Sequence, residues 1–506
     1  MMGGLVLTGR HVMASRAKAS KSQDTDLGRS RDLGTRGRPQ RFTSFGELGL
    51  VPVVSERGSH DPLGERPGLG SKLTIRAATL RPILGADWQW IIFAQLAAVA
   101  GTLILLKIVA NIASPEGFGR FGLILAVAGG VNSLAFGPVI AWTSRHYQEG
   151  RETGRLRAYF RTLAMASAIA TGAMCSVVLV FIALAPSLMT RVGITPLSGI
   201  LGLTVGVLFG ANEVAVAVSN AALRRRPAAL FLVGARWVPV AVVGIAYLAG
   251  LRSVDAYATA VAIALALVLV VQIGQLVRVE ARESRKRPLA GSGGSYLRSL
   301  STYALPYVLW GIPAYVITFG DRYVLAYLTD AATVGAYIAM STATMSAVGV
   351  FGMAINRVLE PALYATAGDS SDRDRVSQAH RMVRMAVIAI IVAIVPIVAI
   401  YGMFPREVIA LFTSASYGAF AGHLWVLMLA GLFFLIGQEL FLHGSIEKRV
   451  WAYLPVRLIH VAIFATGMVV LVPKLGLPGL TIALVVGYLS QVLLALAASR
   501  WVGGRK

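Results

Sequence analysis

The chain has 506 residues and a mean hydropathy of +0.68, and only 14% of it is charged; soluble domains carry about a quarter, so the composition excludes an ordinary water-soluble protein. A net charge of +23 would suggest nucleic acid in a soluble chain, but in a polytopic membrane protein the same Lys/Arg excess marks loops beside anionic lipid, and no nucleic-acid partner is expected. The single cysteine, Cys175, excludes an intrachain disulfide and a multi-cysteine metal site.

Residues 1–84 are rich in Gly, Arg, Ser and Pro, as in RSRDLGTRGRPQR, and hold no periodic apolar stretch. They are expected to form a disordered basic tail at the cytoplasmic face, with a start codon called too far upstream as the alternative and Met13 as a later start. No apolar run precedes Trp88, so the tail does not read as a secretory signal.

Apolar segments of bilayer length then predict helices over 88–112, 120–143, 159–184, 197–220, 228–249 and 255–277, followed by 300–325, 333–358, 383–403, 419–443, 452–473 and 478–499. The fold class is thus an all-α membrane protein of about twelve transmembrane helices in two groups of six, over 85–278 and 300–506. Between them, 279–299 contains ARESRKRPLAGSGGS and reads as a basic linker.

Loop charge supports this count. One side carries Arg145, Arg151, Arg155 and Arg157; Arg224, Arg225 and Arg226; Arg282, Arg285, Lys286 and Arg287; Arg373, Arg375 and Arg381; Lys448 and Arg449; and Arg505 and Lys506. The opposite loops carry about one each: Arg120, Arg191, Arg252, Arg322, Arg406 and Lys474. The rule that places positive loops inside predicts a multi-pass protein of the inner (plasma) membrane with both termini cytoplasmic.

The halves share a pattern. IASPEGFGRFGLILAVAGG follows the first helix and LTDAATVGAYIAMSTATMS the seventh, and aligning Phe118-Gly119-Arg120-Phe121 with Val334-Gly335-Ala336-Tyr337 puts Lys107 one position from the match of Arg322. Internal symmetry of this kind is typical of transporters, whose substrate site lies between the repeats.

Three stretches carry a family resemblance: Ile112 to Phe121 (IASPEGFGRF), Asp321 to Tyr337 (DRYVLAYLTDAATVGAY) and Glu360 to Tyr364 (EPALY). Over residues 85 to 500 the chain resembles the polysaccharide biosynthesis (O-antigen, lipid-linked oligosaccharide) flippases of the multidrug/oligosaccharidyl-lipid/polysaccharide exporter superfamily. The resemblance implies two six-helix bundles around a central cavity, opening alternately to either face and moving undecaprenyl-diphosphate-linked oligosaccharide from cytoplasm to periplasm. Its further implied partners are a polysaccharide polymerase and glycosyltransferases. The long tail departs from the family pattern.

Ionisable groups within helices persist mainly where they face a cavity or a partner. Arg236, Arg357, Lys107, Arg322 and Arg457 are cationic candidates for a diphosphate headgroup, which needs its charge matched across a low-dielectric passage. Glu213 lies at nearly the depth of Arg236, so a structural ion pair is an equal alternative. Lys107 and Arg322 can instead snorkel, and Arg357 can pair locally with Glu360. Glu439 and His443 at i, i+4, and Arg457 and His460 at i, i+3, are expected to meet across a short loop, either coupling proton movement to transport or tying two helices together. Glu213, Glu439, His443 and His460 are therefore the ion-coupling candidates.

Pro239, Pro306 and Pro313 predict kinks. No HExxH, P-loop or cysteine nucleophile signature occurs, so neither an enzyme nor a cofactor is expected. An efflux antiporter of small compounds is the alternative within transport; a membrane glycan polymerase or ligase is the alternative from another class.

Overall fold

The computed structural model describes residues 88–286, 294–368, 372–447 and 453–503; the expected basic tail lies outside them. The first half comprises α1 (Trp88–Ile112), α2 (Pro115–Val131), a π-helical turn (Asn132–Phe136), α3 (Gly137–Glu152), α4 (Leu156–Leu184), the short α5 (Pro186–Arg191), α6 (Pro196–Ala221), α7 (Arg225–Leu248) and α8 (Val254–Lys286). The second comprises α9 (Gly294–Leu328), α10 (Ala331–Ala367), α11 (Arg373–Met403), the short α12 (Pro405–Phe412), a 3-10 stretch (Ala415–His423), α13 (Leu424–Ile446), α14 (Leu454–Leu475) and α15 (Leu477–Gly503).

Eleven described segments are long and apolar enough to cross a membrane, α2 to α3 counting as one. The seventh expected span, α9, has the length of a crossing helix. It carries Asp321 and Arg322 and four tyrosines between Tyr307 and Tyr327, and it is packed on both sides: against α2, α3 and the π turn of the first bundle, and against α10 and α14 of its own. The helices α8 and α9 also reach into the interval expected as a linker, to Lys286 and from Gly294.

The repeat seen in the sequence is a physical joint between the bundles. Ser114 caps α2 by accepting from Gly117 N at 3.1 Å, with Pro115 in its first turn, and Asp330 caps α10 by accepting from Thr333 N at 2.8 Å. One turn on, Gly119 and Gly335 meet. A Cβ on Gly119 would overlap the Ala331 carbonyl and lie 3.0 Å from Gly335 N, while a Cβ on Gly335 would overlap the Pro115 carbonyl and lie 3.2 Å from Gly119 N. The contact is reciprocal, as between elements related by a two-fold axis, and glycine at both positions lets the backbones touch.

The π turn was not anticipated from the sequence. Pro138 follows it, and a proline ring clashes with the carbonyl four residues back, so the widened turn accommodates that residue without breaking the span. Of the prolines expected to kink, Pro239 lies inside α7 and Pro313 inside α9.

Candidate functional site

Arg236 of α7 and Glu213 of α6 form an ion pair at 3.2 Å, with 27% and 26% of their side chains accessible. Arg236 lies about 16 Å along α7 from its start, near the midplane of a ~30 Å hydrocarbon core. Its guanidinium stands 4.3 Å from the Phe209 ring centroid, and Gly101 of α1 lets the helix approach its stem, since a Cβ there would be 3.1 Å from Arg236 Cβ. Next to it, Trp237 Nε1 donates to Ala97 O at 2.8 Å. α6 thus holds the guanidinium through Phe209 and Glu213 while α1 packs on its stem, and the carboxylate neutralises it while leaving both groups partly open. A pair of this kind tolerates burial at modest cost and can exchange partners when an anion arrives.

Lys107 has a different setting. Its Nζ donates to Leu411 O at 2.7 Å, in the last turn of α12, and Asn111 Nδ2 donates to Thr413 O at 3.0 Å just beyond it. A cation at a helix C-terminus is stabilised by the carbonyls and the helix dipole, so this lysine of the first bundle caps a helix of the second. Arg191 Nη1 makes a further crossing contact with Tyr327 Oη, at 3.3 Å.

Arg322 lies with its guanidinium 5.1 Å from the Phe319 centroid. The preceding Asp321 is 5% exposed, accepts from the Arg322 backbone N–H at 2.8 Å and accepts the phenol of Tyr337. Two positions of the family-like stretch, Asp321 and Tyr337, therefore lock α9 to α10. The Arg357 side chain lies outside the described residues, although α10 runs through its position.

The four residues expected to meet beyond α13 divide into two sites. His443 faces α11, with its ring 4.4 Å from that of His380, whose Nε2 lies 3.6 Å from Glu447 Oε1. Arg457 lies 4.9 Å from the Trp310 centroid and 5.7 Å from that of Phe441. Helix geometry explains the split: Glu439 and His443 share a face of α13, and Phe441 points about 160–200° away. Glu439 and His460 are both fully buried. Spacing within each helix was readable from the chain; the facing partner, His380 or Trp310, was not. Among the described residues no group of three or more His, Cys, Asp or Glu is placed to hold a metal.

Two helical bundles joined by a pseudo-two-fold crossing, with a partly accessible ion pair about midway along α7, define a multi-pass membrane protein of a transporter fold. Solved structures agree. An inward-facing multidrug resistance MATE family transporter of the MOP superfamily is 17% identical, covering 81% of this chain and 94% of its own at a TM-score of 0.56. A point mutant of the Vibrio cholerae MATE transporter VcmN is 14% identical, covering 85% and 98% at 0.58. The lipid II flippase MurJ in an inward closed conformation is 14% identical, covering 81% and 86% at 0.51. These likenesses establish the fold. No curated protein sequence matches the chain. Residues 84–366 match the model of the polysaccharide biosynthesis protein family, and the chain belongs to that family.

Proposed function

We propose that the protein moves a lipid-linked oligosaccharide across the inner membrane, from the cytoplasmic to the periplasmic leaflet, by rocking of the two bundles about the Gly119–Gly335 crossing. The observation that carries this reading is the partly accessible Arg236–Glu213 pair near the bilayer midplane. A lipid diphosphate binds there by drawing the guanidinium from the carboxylate, a charge-assisted exchange that costs little because Glu213 remains close. Family membership supports the saccharide, and the loop charge supports cytoplasmic termini. Arg322 and Arg357 are further headgroup contacts along the path, and a polymerase and glycosyltransferases are its functional partners. The coupling role belongs to the α13 face that bears Glu439 and His443.

Flipping of labelled undecaprenyl-diphosphate oligosaccharide in proteoliposomes tests the proposal. Arg236→Ala should slow flipping roughly tenfold or more, the equivalent of one charge-assisted contact, without changing insertion. Unchanged flipping removes Arg236 from the site. The fold also favours a second reading, efflux of small compounds, because two of the similar structures are MATE transporters. Protein-dependent uptake of small cations without flipping would select it.

A further inference from the structure

Among the described residues a second buried cation has no such partner. Arg457 is 6% exposed, and His460 and Gln491 are fully buried. Among the described residues Arg457 Nε, both ring nitrogens of His460 and both amide atoms of Gln491 meet no hydrogen-bond partner. Buried polar atoms are almost always satisfied, so five orphans on three neighbouring side chains require an account.

They converge on one face of α13. Phe434, Gly437 and Phe441 recur at helical spacing on it. Tyr488 packs on Phe434 at 5.2 Å between centroids, Gln491 fills the notch left by Gly437, where a Cβ would lie 2.7 Å from its Cδ, and Arg457 stands over Phe441. His460, one turn from Arg457 on α14, has its ring 6.0 Å from that of Tyr488. Among the described residues no carboxylate lies in this layer. The described sequences of α14 and α15 contain no Asp or Glu, the one acid of α13, Glu439, points to the opposite face, and the one acid of α9, Asp321, lies about 16 Å along that helix from Trp310.

We propose that this layer between α9, α13, α14 and α15 is a binding site for a small monovalent anion, of which chloride is the abundant form. Arg457 supplies the charge, and the Gln491 amide and one imidazole N–H of His460 supply further donors. Water would satisfy hydrogen bonds but leave a formal charge unmatched in an apolar interior, which is the costlier defect. Trp310 and Phe441 hold the guanidinium in place by cation–π contact. The burial of all three side chains excludes a sugar-bearing diphosphate, so the site is separate from the Arg236–Glu213 pair.

Thermal unfolding of the purified full-length protein, titrated with sodium chloride or bromide against gluconate at constant ionic strength, tests the site. Wild type should gain a saturable rise in Tm with either halide, and Gln491→Leu and His460→Leu should lose most of it. Chloride NMR line broadening by the wild-type protein reads the same binding without a variant, and bromide should reverse it by competition. A wild-type protein with no halide-dependent Tm rise and no broadening overturns the proposal, as does a halide effect of equal size in Gln491→Leu, which would assign the anion to the Arg-rich loops.

Discussion

The bundles are joined at their two ends by different means. At the end with few charged loops, backbone touches backbone at Gly119 and Gly335, with Gly122 and Ile338 next along the same helices. At the Lys/Arg-rich end the joint is aromatic: Trp142 stacks on Tyr159 at 5.1 Å and meets Tyr296, at the start of α9, edge-on at 6.3 Å. A crossing without side chains fixes the distance between two helices and permits rotation about it. Ring packing has larger area and softer geometry, and can part and re-form. The glycine end is suited to be the pivot and the aromatic end the moving contact.

Substitution at the pivot should have the largest effect. Gly119→Leu places a branched side chain where a single Cβ already overlaps the Ala331 carbonyl, and overpacking of this kind costs about 1–3 kcal/mol or more. The expected result is loss of monodisperse protein or a large fall in Tm, with Gly172→Leu, whose Cβ would meet nothing within 4 Å, close to wild type. Equal behaviour of the two variants would remove the pivot.

Next in size is the Asp321–Tyr337 lock. Removing the phenol in Tyr337→Phe leaves a buried carboxylate short of a donor, which costs about 1–3 kcal/mol. In a double-mutant cycle with Asp321→Asn the two losses should be strongly non-additive. Additive losses would mean that the side chains do not act on each other.

The sequence made much of this fold readable, for a physical reason. Bilayer-length apolar runs and alternating loop charge are set by the solvent and not by tertiary detail, so the helices and the halves could be read directly. The paired glycines were visible as a repeated motif, and their mutual contact is what the repeat is for. α9 was read by its length. Side-chain pairing was less legible. Depth along two helices sufficed for Arg236 and Glu213, whereas His443 found His380 and Arg457 found Trp310 on helices distant in sequence, where spacing carries no information.

At the aromatic joint, Tyr296→Leu keeps bulk but loses the ring contact with Trp142, worth about 0.5–1.5 kcal/mol beyond burial. If this end moves during transport, the variant should change flipping rate more than Tm. A fall in Tm with an unchanged rate would make the contact static.

The smallest effect on stability and the most specific effect on motion should come from Lys107. Lys107→Met keeps the apolar stem and removes the donor that caps Leu411, a partly exposed hydrogen bond worth about 1 kcal/mol or less. Because that bond runs from one bundle to the other beside the pivot, its loss should be felt chiefly as freer rotation of the α12 end against α1. The chain has one cysteine, so Cys175→Ser gives a background in which a cysteine at Ser414, beside the α12 carbonyls, reports labelling by a membrane-impermeant maleimide. Labelling should be faster with Lys107→Met, and Lys107→Arg, which retains a donor, should restore the slow rate. If Met and Arg label alike, Lys107 does not hold the bundles together, and the headgroup role is the one left to test by flipping.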